Sequence, residues 1–126
     1  MKVLLVDDDE KNLDLQSRII KRLGNSVDTE ESGETGVERV LSGDYELVFF
    51  DCVLPGISGM EAISIIRQRE KGRRTPIVAL TGATENIDYL SIGFDDYMAK
   101  PISIDEFRSI FAKWAAINAA KKPHSK

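Results

Sequence analysis

Four short stretches of this sequence each end in side chains that could do chemistry. Asp7 and Asp8 follow the apolar run 3–6, Asp51 follows the run 47–50, Thr81 follows the run 77–80, and Lys100 follows residues 96–99. Together they offer three carboxylates, a hydroxyl and an ammonium. Three carboxylates in one crevice repel one another: two unit charges about 4 Å apart cost roughly 4 kcal/mol at an effective dielectric of about 20. One lysine hardly offsets that, whereas a hard divalent cation does, and an all-oxygen donor set with room for waters suits Mg²⁺ or Mn²⁺. Beside such a cation, Asp51 is a carboxylate nucleophile able to form an acyl phosphate. Attack brings an anion toward an anion, so the cation and the Lys100 ammonium would neutralise charge on the transferring group. Each residue taken singly has a plainer explanation. Asp7, Asp8 and Asp9 could open a helix and complement its dipole, Thr81 could cap the helix that follows, and Lys100 could be an ordinary surface lysine. Their recurrence at corresponding places favours the chemical reading.

The places correspond only if the apolar runs are strands of one sheet. Runs 3–6, 47–50 and 77–80 do not alternate with polar residues, as expected for parallel strands covered on both faces. Stretches 26–29 and 96–99 are shorter and more polar and suit the sheet edges. Between them lie helical stripes: Leu13, Ile19, Ile20 and Leu23; Val37, Val40 and Leu41; Met60, Ile63 and Ile66; and Phe107, Ile110, Phe111 and Trp114. Ser58 with Glu61, and Ser103 with Glu106, match the capping box that opens a helix. Gly24, Gly43, Gly72 and Gly93 follow the ends of four helical patterns, where a left-handed residue is wanted. The result is a (βα)5 alternation, hence α/β with a doubly wound parallel sheet. Placing the polar strands at the edges favours strand order 2-1-3-4-5, the flavodoxin-like arrangement, whose ligands sit at the carboxyl ends of the strands.

Composition narrows the function classes. At 126 residues the chain fits one domain, taken here as residues 1–120 with a polar tail at 121–126. A net charge of −4 argues against nucleic acid as the primary partner. No apolar run is long enough for a membrane span, and the start at Met1 leads into structure without a signal-like segment, so a cytoplasmic setting is expected. The single cysteine, Cys52, suits a reducing compartment and reads as a small buried residue beside the site. The lone histidine, His124, lies in the tail, which disfavours Ser-His, Cys-His or histidine-rich metal chemistry. Lys121, Lys122 and Lys126 read as a solvated tail.

Val6-Asp7-Asp8, the stretch from Asp51 through Pro55 and Gly56 to Gly59, Ala79-Leu80-Thr81-Gly82 and Asp96-Tyr97-Met98-Ala99-Lys100-Pro101 resemble, in order, the receiver domains of two-component response regulators. The resemblance implies that Asp51 is the phosphoacceptor and that Asp7, Asp8, Asp51 and the Val53 carbonyl hold Mg²⁺. It implies that Thr81, Gly82, Lys100 and Val53 surround the phosphoryl group, and that Thr81 moves inward while Tyr97 rotates into the space vacated. A cis bond before Pro101 is part of the same expectation. Partners implied are a sensor histidine kinase or a histidine phosphotransfer protein, and a downstream protein target, with the chain a monomer or a weak phosphorylation-dependent dimer. No output domain follows the last helical stripe, which points to output by protein contact. A phosphorylation-independent binding module of the same fold is the alternative; its mark would be a lost Asp or Lys, and none is lost. A haloacid dehalogenase-type hydrolase needs an aspartate at position 53, where valine stands, and an Asp-rich first loop is hostile to a flavin phosphate.

Two departures from the family pattern carry expectations of their own. Thr81 and Lys100 lie 19 positions apart, short of the usual spacing by close to one helical turn. The deficit is assigned to the fourth helix, between Thr84 and Ser91, which puts the usual output face in question. Val53 and Ala83, each two positions beyond a site residue, are apolar where hydrolytic water would pass, so slow autodephosphorylation is expected.

Overall fold

The unbroken apolar runs become the centre of a parallel sheet. The computed structural model describes residues 1–82 and 87–121. The chain order is β1 (Lys2–Val6), α1 (Glu10–Arg22), β2 (Ser26–Glu30), α2 (Gly33–Ser42), β3 (Leu47–Asp51), α3 (Gly59–Arg69), β4 (Ile77–Thr81), α4 (Tyr89–Ile92), β5 (Asp96–Ala99) and α5 (Ile104–Lys121). The strands pair in parallel in the order β2-β1-β3-β4-β5. Every residue of β3 and β4 is buried, whereas β2 and β5 each keep exposed positions, as their polar sequences require at an edge.

Alternate side chains of each strand feed two separate cores, which is why the runs look uninterrupted. Leu4, Val6, Val48, Phe50, Ile77 and Ala79 pack with Val37, Val40, Ala62, Ile63 and Ile66 of α2 and α3. Val3, Leu5, Leu47, Phe49, Val78 and Leu80 pack on the other face with Leu13 and Ile20 of α1 and the whole Phe107, Ile110, Phe111, Trp114 stripe of α5. Phe49 meets Phe107 and Phe111 edge-on, with ring centroids 5.4 and 5.6 Å away.

Both capping boxes form. Ser58 and Glu61 exchange bonds of 3.0 and 3.1 Å at the start of α3, and Ser103 and Glu106 do the same at 3.1 Å before α5. Gly24, Gly72 and Gly93 have positive φ as expected. Gly43 does not: its backbone is extended, at φ −100 and ψ −178. Glycine stands there for space, since a Cβ would lie 2.7 Å from the Tyr45 ring and 2.8 Å from the Arg39 carbonyl oxygen.

α4, to which the deficit before β5 is assigned, has four residues, Tyr89–Ile92, and part of the assigned stretch lies outside the described residues. Ala83 and Thr84 lie outside the described residues, as do Lys122, His124 and Lys126, while α5 continues to Lys121. The carboxyl end of α4 is tied down by a partly buried ion network. Arg67 donates to the Gly93 carbonyl at 2.9 Å, to the Thr75 carbonyl at 2.9 Å and to Asp95 at 2.7 Å, and Arg74 also reaches Asp95 and Gly93. Asp95 in turn accepts the Ile77 amide at 2.8 Å.

Candidate phosphoacceptor site

Strand register brings the expected residues together. Val6 faces Phe50, so Asp7 emerges beside Asp51; Asp51 faces Leu80 and Thr81 faces Ala99, so Thr81 and Lys100 come one position further along. The ladder continues past β5 through the Lys100 amide, which donates to the Thr81 carbonyl at 2.7 Å. The Lys100–Pro101 bond is cis.

Asp7 is wholly buried and Asp51 is 5% exposed. Each divides its two oxygens in the same way. Asp7 Oδ1 accepts the Asp9 amide at 2.9 Å, and Asp51 Oδ1 accepts the Val53 amide at 3.0 Å. The two Oδ2 atoms share the Lys100 ammonium, at 3.0 Å to Asp7 and 2.6 Å to Asp51. The exposed Asp8 completes an acidic group whose ligand atoms lie within 4.8 Å of one another. Only Asp9 follows the plainer reading of the acidic run: it is the N-cap of α1, accepting from the Lys11 and Asn12 amides.

The electrostatics are those of a charged nest short of cations. Three carboxylates face one ammonium, and all available donors are oxygens. Burial pushes the Asp51 carboxyl above its ordinary value, against the Lys100 and Val53 hydrogen bonds that favour the ionised form. Burial also disfavours the charge on Lys100, but Asp51 and Asp7 outweigh it and hold the ammonium's pKa above the usual lysine value. A divalent cation among Asp7, Asp8 and Asp51 would relieve this imbalance, so the residues present fit a hard metal ion. Burial and the neighbouring Asp51 charge push the Cys52 thiol up to about 12, which leaves it unreactive and in keeping with a packing role.

The backbone around Asp51 has no slack. Gly59, the first residue of α3, donates its amide to the Cys52 carbonyl at 3.0 Å, and a Cβ on it would lie 2.7 Å from Cys52 Cα and collide with the Asp51 carbonyl oxygen. Val53, by contrast, is 77% exposed at the mouth of the site, and Gly82 is exposed with open space about it.

Thr81 is buried at the end of β4, but the aromatic residue bonded to it is not Tyr97. Tyr89 donates its phenol to Thr81 Oγ at 2.9 Å. Tyr97 is 55% exposed and leans on Tyr89 from outside, with ring centroids 5.4 Å apart. Sequence reasoning missed Tyr89. The available signal was an aromatic residue one position after Asp88, whose side chain caps α4 by accepting the Ser91 amide.

The fold is an open, doubly wound parallel α/β sheet with an acidic notch at the carboxyl ends of β1 and β3, flanked by a lysine that follows the edge strand β5. Folds of this class bind ligands at that edge. The family described as response regulator receiver domain matches residues 3–112, and the chain belongs to that family. The transcriptional regulatory protein TcrA of Mycobacterium tuberculosis is 36% identical over 121 residues, covering 94% of this chain and 46% of the relative. The aerobic respiration control sensor protein ArcB of Escherichia coli is 32% identical over 117 residues, covering 90% of this chain and 15% of the relative. The chain thus spans less than half the length of these curated relatives. Among solved structures, the receiver domain of the sensor histidine kinase PA1611 from Pseudomonas aeruginosa superposes with a TM-score of 0.83 at 33% identity, covering 91% of this chain and 97% of that one. That domain has a magnesium ion coordinated in its active site cleft.

Proposed function

We propose that this chain accepts a phosphoryl group on Asp51 from the phosphohistidine of a partner protein, in a Mg²⁺-dependent reaction, and thereby switches a protein-binding surface. The observation that carries this reading is the shared contact of Lys100 with Asp51 and Asp7, inside an acidic group able to hold a divalent cation. A bond forms between an Asp51 carboxylate oxygen and phosphorus, the phosphorus–nitrogen bond of the donor breaks, and the donor imidazole leaves. Bound Mg²⁺, as in the Pseudomonas relative, supplies charge neutralisation on the transferring group. Asp7, Asp8, Asp51 and the Val53 carbonyl would hold it, with Mn²⁺ an acceptable substitute.

Lys100 lies 2.6 Å from Asp51 and faces the oxygens of the incoming group. Thr81 and the Gly82 amide offer it further hydrogen bonds. The Val53 amide holds Asp51 Oδ1 while Lys100 holds Oδ2, so the carboxylate is oriented through both oxygens. The chain modifies only itself and turns over no metabolite.

The partner reading follows the family: a sensor histidine kinase or histidine phosphotransfer protein upstream and a protein target downstream, with the chain monomeric or weakly dimerising on phosphorylation. No helix among the described residues is long and apolar enough to cross a membrane, and we place the chain in the cytoplasm with its kinase.

Incubation with acetyl phosphate and Mg²⁺ should add one phosphoryl group by intact mass, with none added to Asp51→Asn or in the presence of EDTA. The label should outlast seconds, because exposed Val53 offers no polar group to orient hydrolytic water. Labelling of Asp51→Asn, or none of the wild type, refutes the acceptor assignment.

A further inference from the structure

We propose that Tyr89 is the residue that senses the position of Thr81 and passes it to α4, an inference that rests on the phosphoacceptor reading above. Tyr89 is the first residue of α4 and is 4% exposed. Its phenol donates to Thr81 Oγ at 2.9 Å in buried surroundings, and its ring packs between Phe94 and Tyr97, at 6.2 and 5.4 Å. Tyr97 is therefore in contact with the ring that bonds Thr81 and responds through it.

The main chain of Thr81 is held by the sheet, since its carbonyl accepts the Lys100 amide. Its side chain is the part that can turn. A phosphoryl group on Asp51 adds three strong acceptor oxygens at the same sheet edge. A hydroxyl bonded to an anionic oxygen gains roughly twice what it gains from a neutral partner. Drawing Thr81 Oγ toward that oxygen strands the phenol in an enclosed place, where an unsatisfied polar group is costly. The ring must then move.

α4 offers little resistance to that movement. A four-residue helix has almost no stability of its own. Its carboxyl end is clamped by Arg67 and Arg74 on the Gly93 carbonyl, whereas its first residue is held by the phenol. Release of Tyr89 would thus swing the beginning of α4 about a fixed end and carry the exposed side chains of Leu90 and Ile92 with it. The short helix becomes the moving part.

The test uses fluoroberyllate with Mg²⁺ as the phosphoryl mimic on the full chain. Tyr89→Phe keeps the ring and removes the bond that favours the unphosphorylated arrangement, so it should bind fluoroberyllate about fivefold more tightly, the size of one neutral hydrogen bond. In a Thr81→Val background the same substitution should change the affinity no further. A merely structural role would lower the unfolding midpoint and leave the affinity unchanged. Methyl NMR signals of Leu90 and Ile92 should shift on fluoroberyllate binding in the wild type and stay in place in Thr81→Val, which tests the coupling even if Tyr89→Phe folds poorly. Unchanged or weaker binding by Tyr89→Phe, or stationary methyl signals in the wild type, overturns the proposal while leaving the acceptor reading intact. Failure of the wild type to bind fluoroberyllate removes both.

Discussion

Lys100→Ala should destabilise the Mg²⁺-free protein by about 2–3 kcal/mol relative to the wild type, and Mg²⁺ should narrow that gap. Removing one partner of a fully buried ion pair costs about 3–5 kcal/mol, because the other charge is left without compensation. The lysine side chain here is 20% exposed, so water screens part of the interaction and the lower figure applies. Asp7 and Asp51 would keep the Asp9 and Val53 amides but lose the ammonium that both share. A divalent cation supplies the same countercharge and should bind the variant, whose carboxylates have lost their ammonium, more tightly than the wild type. Each tenfold difference in dissociation constant closes the gap by about 1.4 kcal/mol at saturating Mg²⁺. Urea denaturation of wild type and variant, with EDTA and with Mg²⁺, measures the gap directly. An equal gap in both conditions would mean that Lys100 acts by packing alone. The variant should also take phosphate from acetyl phosphate about 10²–10³ times more slowly, the usual effect of removing one group that stabilises transition-state charge.

Gly59→Ala should cost about 2–3 kcal/mol, although alanine ordinarily improves a helix by up to about 1 kcal/mol over glycine. The sign reverses because the new methyl has no room. It would collide with the Asp51 carbonyl oxygen and lie 2.7 Å from Cys52 Cα, both main-chain atoms that cannot swing aside. Either α3 backs away from β3, losing contacts of Ile63 and Ile66 with the core, or the end of β3 shifts and takes the Asp51 carboxylate with it. Gly82→Ala is the control: a Cβ there meets nothing within 4 Å, so its stability should stay within about 0.5 kcal/mol of wild type. Thermal or urea unfolding separates the two. Loss of Mg²⁺ binding in Gly59→Ala at temperatures where it is still folded would show the second kind of relaxation.

The strand order was legible because burial shows in composition. Runs 47–50 and 77–80 are apolar throughout, and only a strand covered on both faces needs that. The polar stretches 26–29 and 96–99 had to be edges. The paired Ser and Glu residues before α3 and α5 announced their helix starts for an equally local reason. Gly43 shows where such reasoning stops. Its place after a helix suggested a left-handed turn, yet the residue is extended, and its requirement comes from the Tyr45 ring lying across it.

From sequence alone came the alternation of elements, the gathering of Asp7, Asp51, Thr81 and Lys100 at one sheet edge, and the shortening before β5. Each is a matter of period or spacing along the chain, and a parallel sheet turns strand ends into neighbours automatically. Tertiary structure decided the rest: that Lys100 bridges two carboxylates, that Gly59 packs on the backbone of Asp51, and that Tyr89 holds the Thr81 hydroxyl with Tyr97 leaning on it from outside. Those facts are distances between side chains that folding brings together, set by how helices seat on the sheet, and no local pattern of residues encodes them.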